Sequence, residues 1–91
     1  MLFQKQDLEG TGYYWIEKEE HIYTGQPSRR SFDKFNGNQV LFLINFYSSL
    51  SESFTLREGK NLEKRIKEDL PEEFKSEIAV YNWIRNTVFA D

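Results

Sequence analysis

The apolar run Val-Leu-Phe-Leu-Ile-Asn-Phe-Tyr, residues Val40 to Tyr47, constrains the architecture more than any other segment of this chain. As a helix it places Val40, Leu43, Ile44, Tyr47 and Leu50 on one face, with Leu41 at the edge and Phe42 and Phe46 on another. As a buried strand it is a continuous apolar run of ordinary length, and periodicity alone does not separate the two. Leu50 extends the helical pattern by a further turn, and only two of the eight residues are β-branched, so helix is favoured. The preceding Phe35-Asn36-Gly37-Asn38 is a turn, and Asn36 or Asn38 can cap the run. Asn45 interrupts the run, which falls far short of the roughly 20 residues a membrane-spanning helix needs.

Downstream, the helical signals are plainer. Thr55-Leu-Arg-Glu58 has the form of a capping box. Leu62, Ile66 and Leu70 recur every four residues, and Glu63 with Lys67, Lys64 with Glu68 and Arg65 with Asp69 are opposite charges at i,i+4 on the expected wet face. Gly59 is a weak point in the first turns of this helix. Pro71 breaks it and suits the first turn of a long last helix, with Glu72 and Glu73 near the positive end of the dipole. Phe74, Ile78, Tyr81, Ile84 or Arg85, and Val88 mark the buried stripe of that helix, which Ala79, Val80 and Trp83 widen.

The N-terminal half has a different grammar. Leu2 to Gln6 form a short strand or a flexible lead within residues 1–10, and Gly10-Thr11-Gly12 is a turn. Tyr13 to Ile16 and His21 to Thr24 are aromatic or β-branched and flank a polar Glu-Lys-Glu-Glu, which reads as a β-hairpin lacking the Asn-Gly chemistry of the tightest turns. The expected fold is therefore α+β: a small N-terminal antiparallel β-hairpin or meander packed on two or three α-helices. At 91 residues the chain forms a single compact domain, residues 1–91. Aromatic residues at 16% let so short a chain build a dense core from few positions.

Charge and composition remove several function classes. The net charge is −3, with five basic and six acidic side chains in the first fifty residues and seven and nine in the rest. Neither half is a basic module, which disfavours broad capture of nucleic acid. No cysteine is present, so disulfides, thiol nucleophiles and thiolate metal sites are excluded. The opening MLFQKQDLEG has neither an apolar h-region nor a small-residue cleavage site, so no secretory signal is expected. A cytoplasmic location without membrane insertion is the expectation.

No catalytic, metal or nucleotide signature stands out. His21 is the single histidine, no GxSxG motif accompanies it, and it reads first as a surface or structural residue. Glu17, Glu19 and Glu20 read as a solvated hairpin tip, and Gly10-Thr11-Gly12 lacks the later glycine and the lysine of a phosphate loop. A helix-turn-helix reading of the last two helices fails because Glu72, Glu73 and Glu77 would meet phosphates. Asn82, Arg85 and Asn86 read as a wet face. The chain is thus expected to be no enzyme and to need no cofactor.

Tyr13, Tyr14 and Trp15 are consecutive, so no regular backbone can hide all three. In a hairpin, Tyr13, Trp15 and Ile22 share one face, and Tyr14, Ile16 and Tyr23 share the other. Ser28-Arg29-Arg30-Ser31 is a hydroxyl-rich loop whose arginines could hold an anion, or could pair with Glu19, Glu20 or Asp33. The candidate binding residues are therefore Tyr13, Tyr14, Trp15, Tyr23, Arg29 and Arg30. They suggest a small intracellular interaction or regulatory module that binds a protein partner or a second copy of itself as a homodimer. A nucleic-acid-binding domain that stacks bases on these rings is the alternative, and a small-ligand pocket between hairpin and helices the third.

Overall fold

A computed structural model describes residues 3–10, 12–16, 23, 25–50 and 54–88. The described chain contains three α-helices: α1 (Gly37–Leu50), α2 (Leu56–Glu68) and α3 (Glu77–Trp83). α3 runs on into a π-helical segment, Ile84–Val88, and a single 3-10 turn, Lys5–Asp7, precedes all of them. None of these helices is long and apolar enough to cross a membrane.

Each α-helix begins where a side chain takes up an amide that the first turn leaves without a partner. Asn36 Oδ1 accepts from the Gln39 amide at 3.3 Å, Thr55 Oγ1 from Glu58 at 3.2 Å, and Ser76 Oγ from Ala79 at 3.2 Å. The Val40–Tyr47 run is helical, and its buried face is Val40, Leu43, Ile44 and Ser48. Leu50, expected on that face, is 62% exposed. α1 packs against α2 and α3, and α2 packs against the π-helical segment. Leu62, Ile66, Val80, Trp83 and Ile84 complete the core with Phe54 and Phe3.

Phe3 enters this core from the N-terminal segment and is 1% exposed. Its amide donates to Asn45 Oδ1 at 2.6 Å, and its carbonyl accepts from Asn45 Nδ2 at 2.9 Å. One side-chain amide on α1 thus supplies both bonds that a neighbouring strand would supply. The Phe3 ring lies on Gly59, where a Cβ would come within 2.5 Å of Cε1. The residue that weakens α2 by propensity is the one that lets an aromatic ring reach its backbone.

The expected α+β fold is overturned. Among the described residues there is no β-strand, only two isolated bridges: Tyr14 with Asn36, parallel, and Ser31 with Ser76, antiparallel. The Tyr14 amide donates to the Phe35 carbonyl and its own carbonyl accepts from Gly37, both at 2.9 Å. The Tyr14 amide and carbonyl are thus satisfied by the turn leading into α1. The expected tip, Glu17 to Glu20, lies outside the described residues, as do His21, Ile22 and Thr24 of the expected second strand. The described architecture is all-helical, with an irregular N-terminal half laid across the helices.

Two helical expectations are corrected as well. Pro71 does not open a helix: residues 71–75 form a turn closed by the Phe74 amide on the Pro71 carbonyl at 3.2 Å, and α3 begins at Glu77. After the turn, the Ser31–Ser76 bridge holds Ser76 extended, with Phe32 donating to Lys75 and Glu77 donating to Arg30. The late start shifts the buried face to Glu77, Val80, Trp83 and Ile84, leaving Ile78 43% exposed. On α2, Glu63 is not on a wet face but is 3% exposed, whereas Arg65 and Asp69 do pair, at 2.6 Å.

Candidate functional site

The parallel Tyr14–Asn36 bridge sorts the aromatic run, because successive side chains on an extended backbone point to opposite sides. Tyr13 and Trp15 share their side with Phe35 and Gly37, and Tyr14 shares its side with Asn36.

The first side is covered from within. Tyr13 is half-buried and its hydroxyl donates to Glu63 Oε2 at 2.6 Å. Burial, and then the Glu63 carboxylate, push this phenol well above its ordinary pKa of 10.0. Lys67 Nζ stands 4.1 Å from the Tyr13 ring centroid and 5.3 Å from that of Phe35. Trp15 lies 6.1 Å from Tyr13 with Lys5 Nζ 4.7 Å from its ring, and its indole packs on Gly37, where any Cβ would overlap it. These contacts fix the segment to α1 and α2.

On the second side Tyr14 is 41% exposed, and its hydroxyl donates to Asp33 Oδ2 at 2.8 Å, a bond that raises the phenol's pKa. Asn36 Nδ2 donates to the Tyr23 hydroxyl at 3.0 Å. The Arg30 guanidinium lies 4.7 Å from the Tyr23 ring centroid, so these two sequence-selected residues do meet. Arg30 Nε also approaches Glu77 Oε2 at 3.6 Å. Glu77 is fully buried and further accepts from Gln39 Nε2 at 2.8 Å and from the Ser28 amide at 3.1 Å. The arginine loop is thus anchored by a carboxylate of α3 whose charge the sequence marks only as part of a helix end. Arg29 is exposed and makes no hydrogen bond or ion pair with a described residue.

Tyr23 leads on to residues outside the sequence-selected set. Its ring is 6.5 Å from Phe42, Phe42 is 6.3 Å from Phe46, and Phe46 meets Tyr81 edge-on at 5.2 Å. The Arg85 guanidinium lies 5.9 Å from the Tyr81 ring centroid. Four partly exposed rings therefore run in a row from Arg30 to Arg85, across α1 and α3. Phe42, Phe46 and Leu50 follow one another at i,i+4 on α1, and Ile78, Tyr81 and Arg85 share a face of α3 and its extension. The legible signal was the second apolar face of α1, Phe42 and Phe46, on a helix with no charged residue at all. Leu50 and Ile78 were hidden by their assignment to buried stripes. Asn82, Arg85 and Asn86 are exposed.

No known protein family, curated protein or solved structure matches this chain.

Proposed function

We propose that this chain is a non-enzymatic, cytoplasmic protein-interaction module that docks a foreign partner on the face built by α1 and α3. The observation that carries this reading is the uncharged helix α1, whose inner side feeds the core while Leu50 is exposed and Phe42 and Phe46 are only partly covered, Phe42 packing against the core. A surface helix normally sets charge opposite its buried stripe, and a contiguous apolar patch on a small protein marks a surface meant to be covered. Tyr23 and Arg30 contribute one end of this face. Tyr13 and Trp15 become supports of the fold, and Tyr14 lies beside the arginine loop.

The nucleic-acid reading draws less support from the same geometry. Base stacking uses open ring faces. Trp15 has Lys5 over it and Gly37 against it, and Tyr13 has Lys67 over it.

A peptide-display selection on the purified protein tests the docking reading. Wild type should enrich a family of related sequences, and Phe46→Ser and Leu50→Ser variants that melt like wild type should not retain them. Enrichment that both variants share equally would end this assignment of the face.

A further inference from the structure

Residues 3–10 lie against α1 and α2 in the manner of a bound peptide. The middle of the segment satisfies itself. The Asp7 amide donates to the Gln4 carbonyl and the Gln4 amide to Asp7 Oδ2, both at 2.9 Å, and the Leu8 amide donates to the Lys5 carbonyl at 3.2 Å. Its two ends are read by helix side chains. Asn45 of α1 bonds both the amide and the carbonyl of Phe3, and Glu63 of α2 accepts from the amides of Glu9 and Gly10 at 2.8 and 2.9 Å. Phe3 is buried in the core and Leu8 packs against it, whereas Gln4, Lys5, Gln6 and Glu9 are exposed.

The contacts also select residue types. The Phe3 ring fills the space that the missing Cβ of Gly59 leaves on α2. The Glu9 carboxylate meets Lys60 Nζ at 2.9 Å. A Cβ at Gly10 would stand 3.0 Å from Glu63 Oε2 and 3.0 Å from Lys67 Cδ, so the backbone comes this close only as glycine. A buried aromatic anchor with main-chain bonds at both ends is how folded domains take up peptide segments.

We infer that the seam between α1 and α2 is a peptide-recognition site for a segment with Phe, Glu and Gly in the spacing of Phe3, Glu9 and Gly10, and that its occupant in trans is this same segment of a second copy. A second copy carries all three residues at that spacing by construction. An exchanged segment reproduces every contact above, together with that of Lys5 on the Trp15 ring. What favours the closed chain is the high effective concentration that a short connection gives its own segment. That connection passes through Gly12, which is exposed and sits at φ 86°, a left-handed conformation that side-chain-bearing residues adopt only under strain. A Cβ built on Gly12 meets nothing within 4 Å, so a side chain there acts through the backbone alone. Position 12 therefore sets the balance between the closed chain and the exchanged pair. Nothing in this exchange requires the α1/α3 docking face.

The test uses the whole chain. Gly12→Val strains the closed form and relaxes on exchange, so its dimer, followed by sedimentation, should dissociate at on the order of a hundredfold lower concentration than that of wild type. The synthetic peptide MLFQKQDLEG, residues 1–10, in millimolar excess should return Gly12→Val to monomer. The same peptide carrying Phe3→Ala or Gly10→Ala should not. A dimer that the native peptide leaves intact, or that all three peptides dissolve alike, would overturn the assignment of the site. A Gly12→Val protein as monomeric as wild type would overturn the exchange. If that monomer still bound the labelled native peptide more tightly than the two altered ones, the occupant would be a foreign segment and not a second copy.

Discussion

Glu63 and Glu77 each gather donors from a segment far away in the sequence, as a neighbouring strand would in a sheet. Glu63 accepts from the Glu9 and Gly10 amides at 2.8 and 2.9 Å and from the Tyr13 hydroxyl at 2.6 Å. Glu77 accepts from Ser28 and Gln39, with Arg30 adjacent. A buried carboxylate is tolerated when its lone pairs are taken, and its removal leaves the donors stranded. Glu77→Ala should therefore cost about 3–5 kcal/mol in urea unfolding, because it abandons a partly buried guanidinium as well as amides. A loss within about 0.5 kcal/mol, the range of an ordinary surface substitution, would show that the network is not anchoring the loop. The Tyr13–Glu63 bond carries a pH signature. A phenol whose pKa is raised in the folded chain holds its proton more tightly there than in the unfolded chain. Its stabilisation is present in full below the ordinary value of 10.0 and is lost as pH rises beyond it. Thermal melts from about pH 8 to about pH 11 should show wild type losing stability more steeply than Tyr13→Phe above about pH 10. Parallel pH profiles for the two proteins would contradict the assignment.

Among the elements, α2 shows how a close approach overrides propensity. Gly59 sits inside a helix, where alanine would ordinarily stabilise by up to about 1 kcal/mol. Here the added methyl meets the Phe3 ring at 2.5 Å, and overpacking of this kind costs about 1–3 kcal/mol. Gly59→Ala should be net destabilising in wild type but stabilising in a Phe3→Ala background, a sign change that a double-mutant cycle in urea would read directly. The local signals that were legible are those carried by neighbours in sequence. Thr55 with Glu58 marked the start of α2, Asn36 was one of two candidates to cap α1, and the extension to Leu50 favoured a helix over a strand. What could not be read was pairing over long distances. Tyr13 to Ile16 has the composition of a strand, but Tyr14 pairs with the turn at Phe35–Gly37, far along the chain. Pro71 looked a good start, but the chain turns there and the helix waits for Ser76, which caps it and pairs with Ser31. The candidate site divides the same way. Tyr23 and Arg30 do meet, whereas Phe46 and Tyr81 belong to different helices, and only tertiary packing reveals that they touch.

At the scale of the molecule, charge is segregated by helix. α2 carries charged residues at most of its positions and α1 carries none, so water is met by ions on one side and by rings and aliphatic groups on the other. A face that exists for stability would lose stability when its apolar groups are made polar. A face that exists for a partner would not, since its exposed groups remain in water in both the folded and unfolded chain. Leu50 at 62% exposure and Ile78 at 43% are the residues on which these alternatives part most clearly. Leu50→Ser combined with Ile78→Ser should leave the melting transition of the isolated protein within the shift expected of about 0.5 kcal/mol per site. The same pair should lower the fluorescence of a dye that reports exposed apolar surface, and should raise the concentration at which the protein begins to self-associate. A drop of several kcal/mol would instead mean that the two side chains hold α1 and α3 together, and the α1/α3 face would then be a thin part of the core and not a place for a partner.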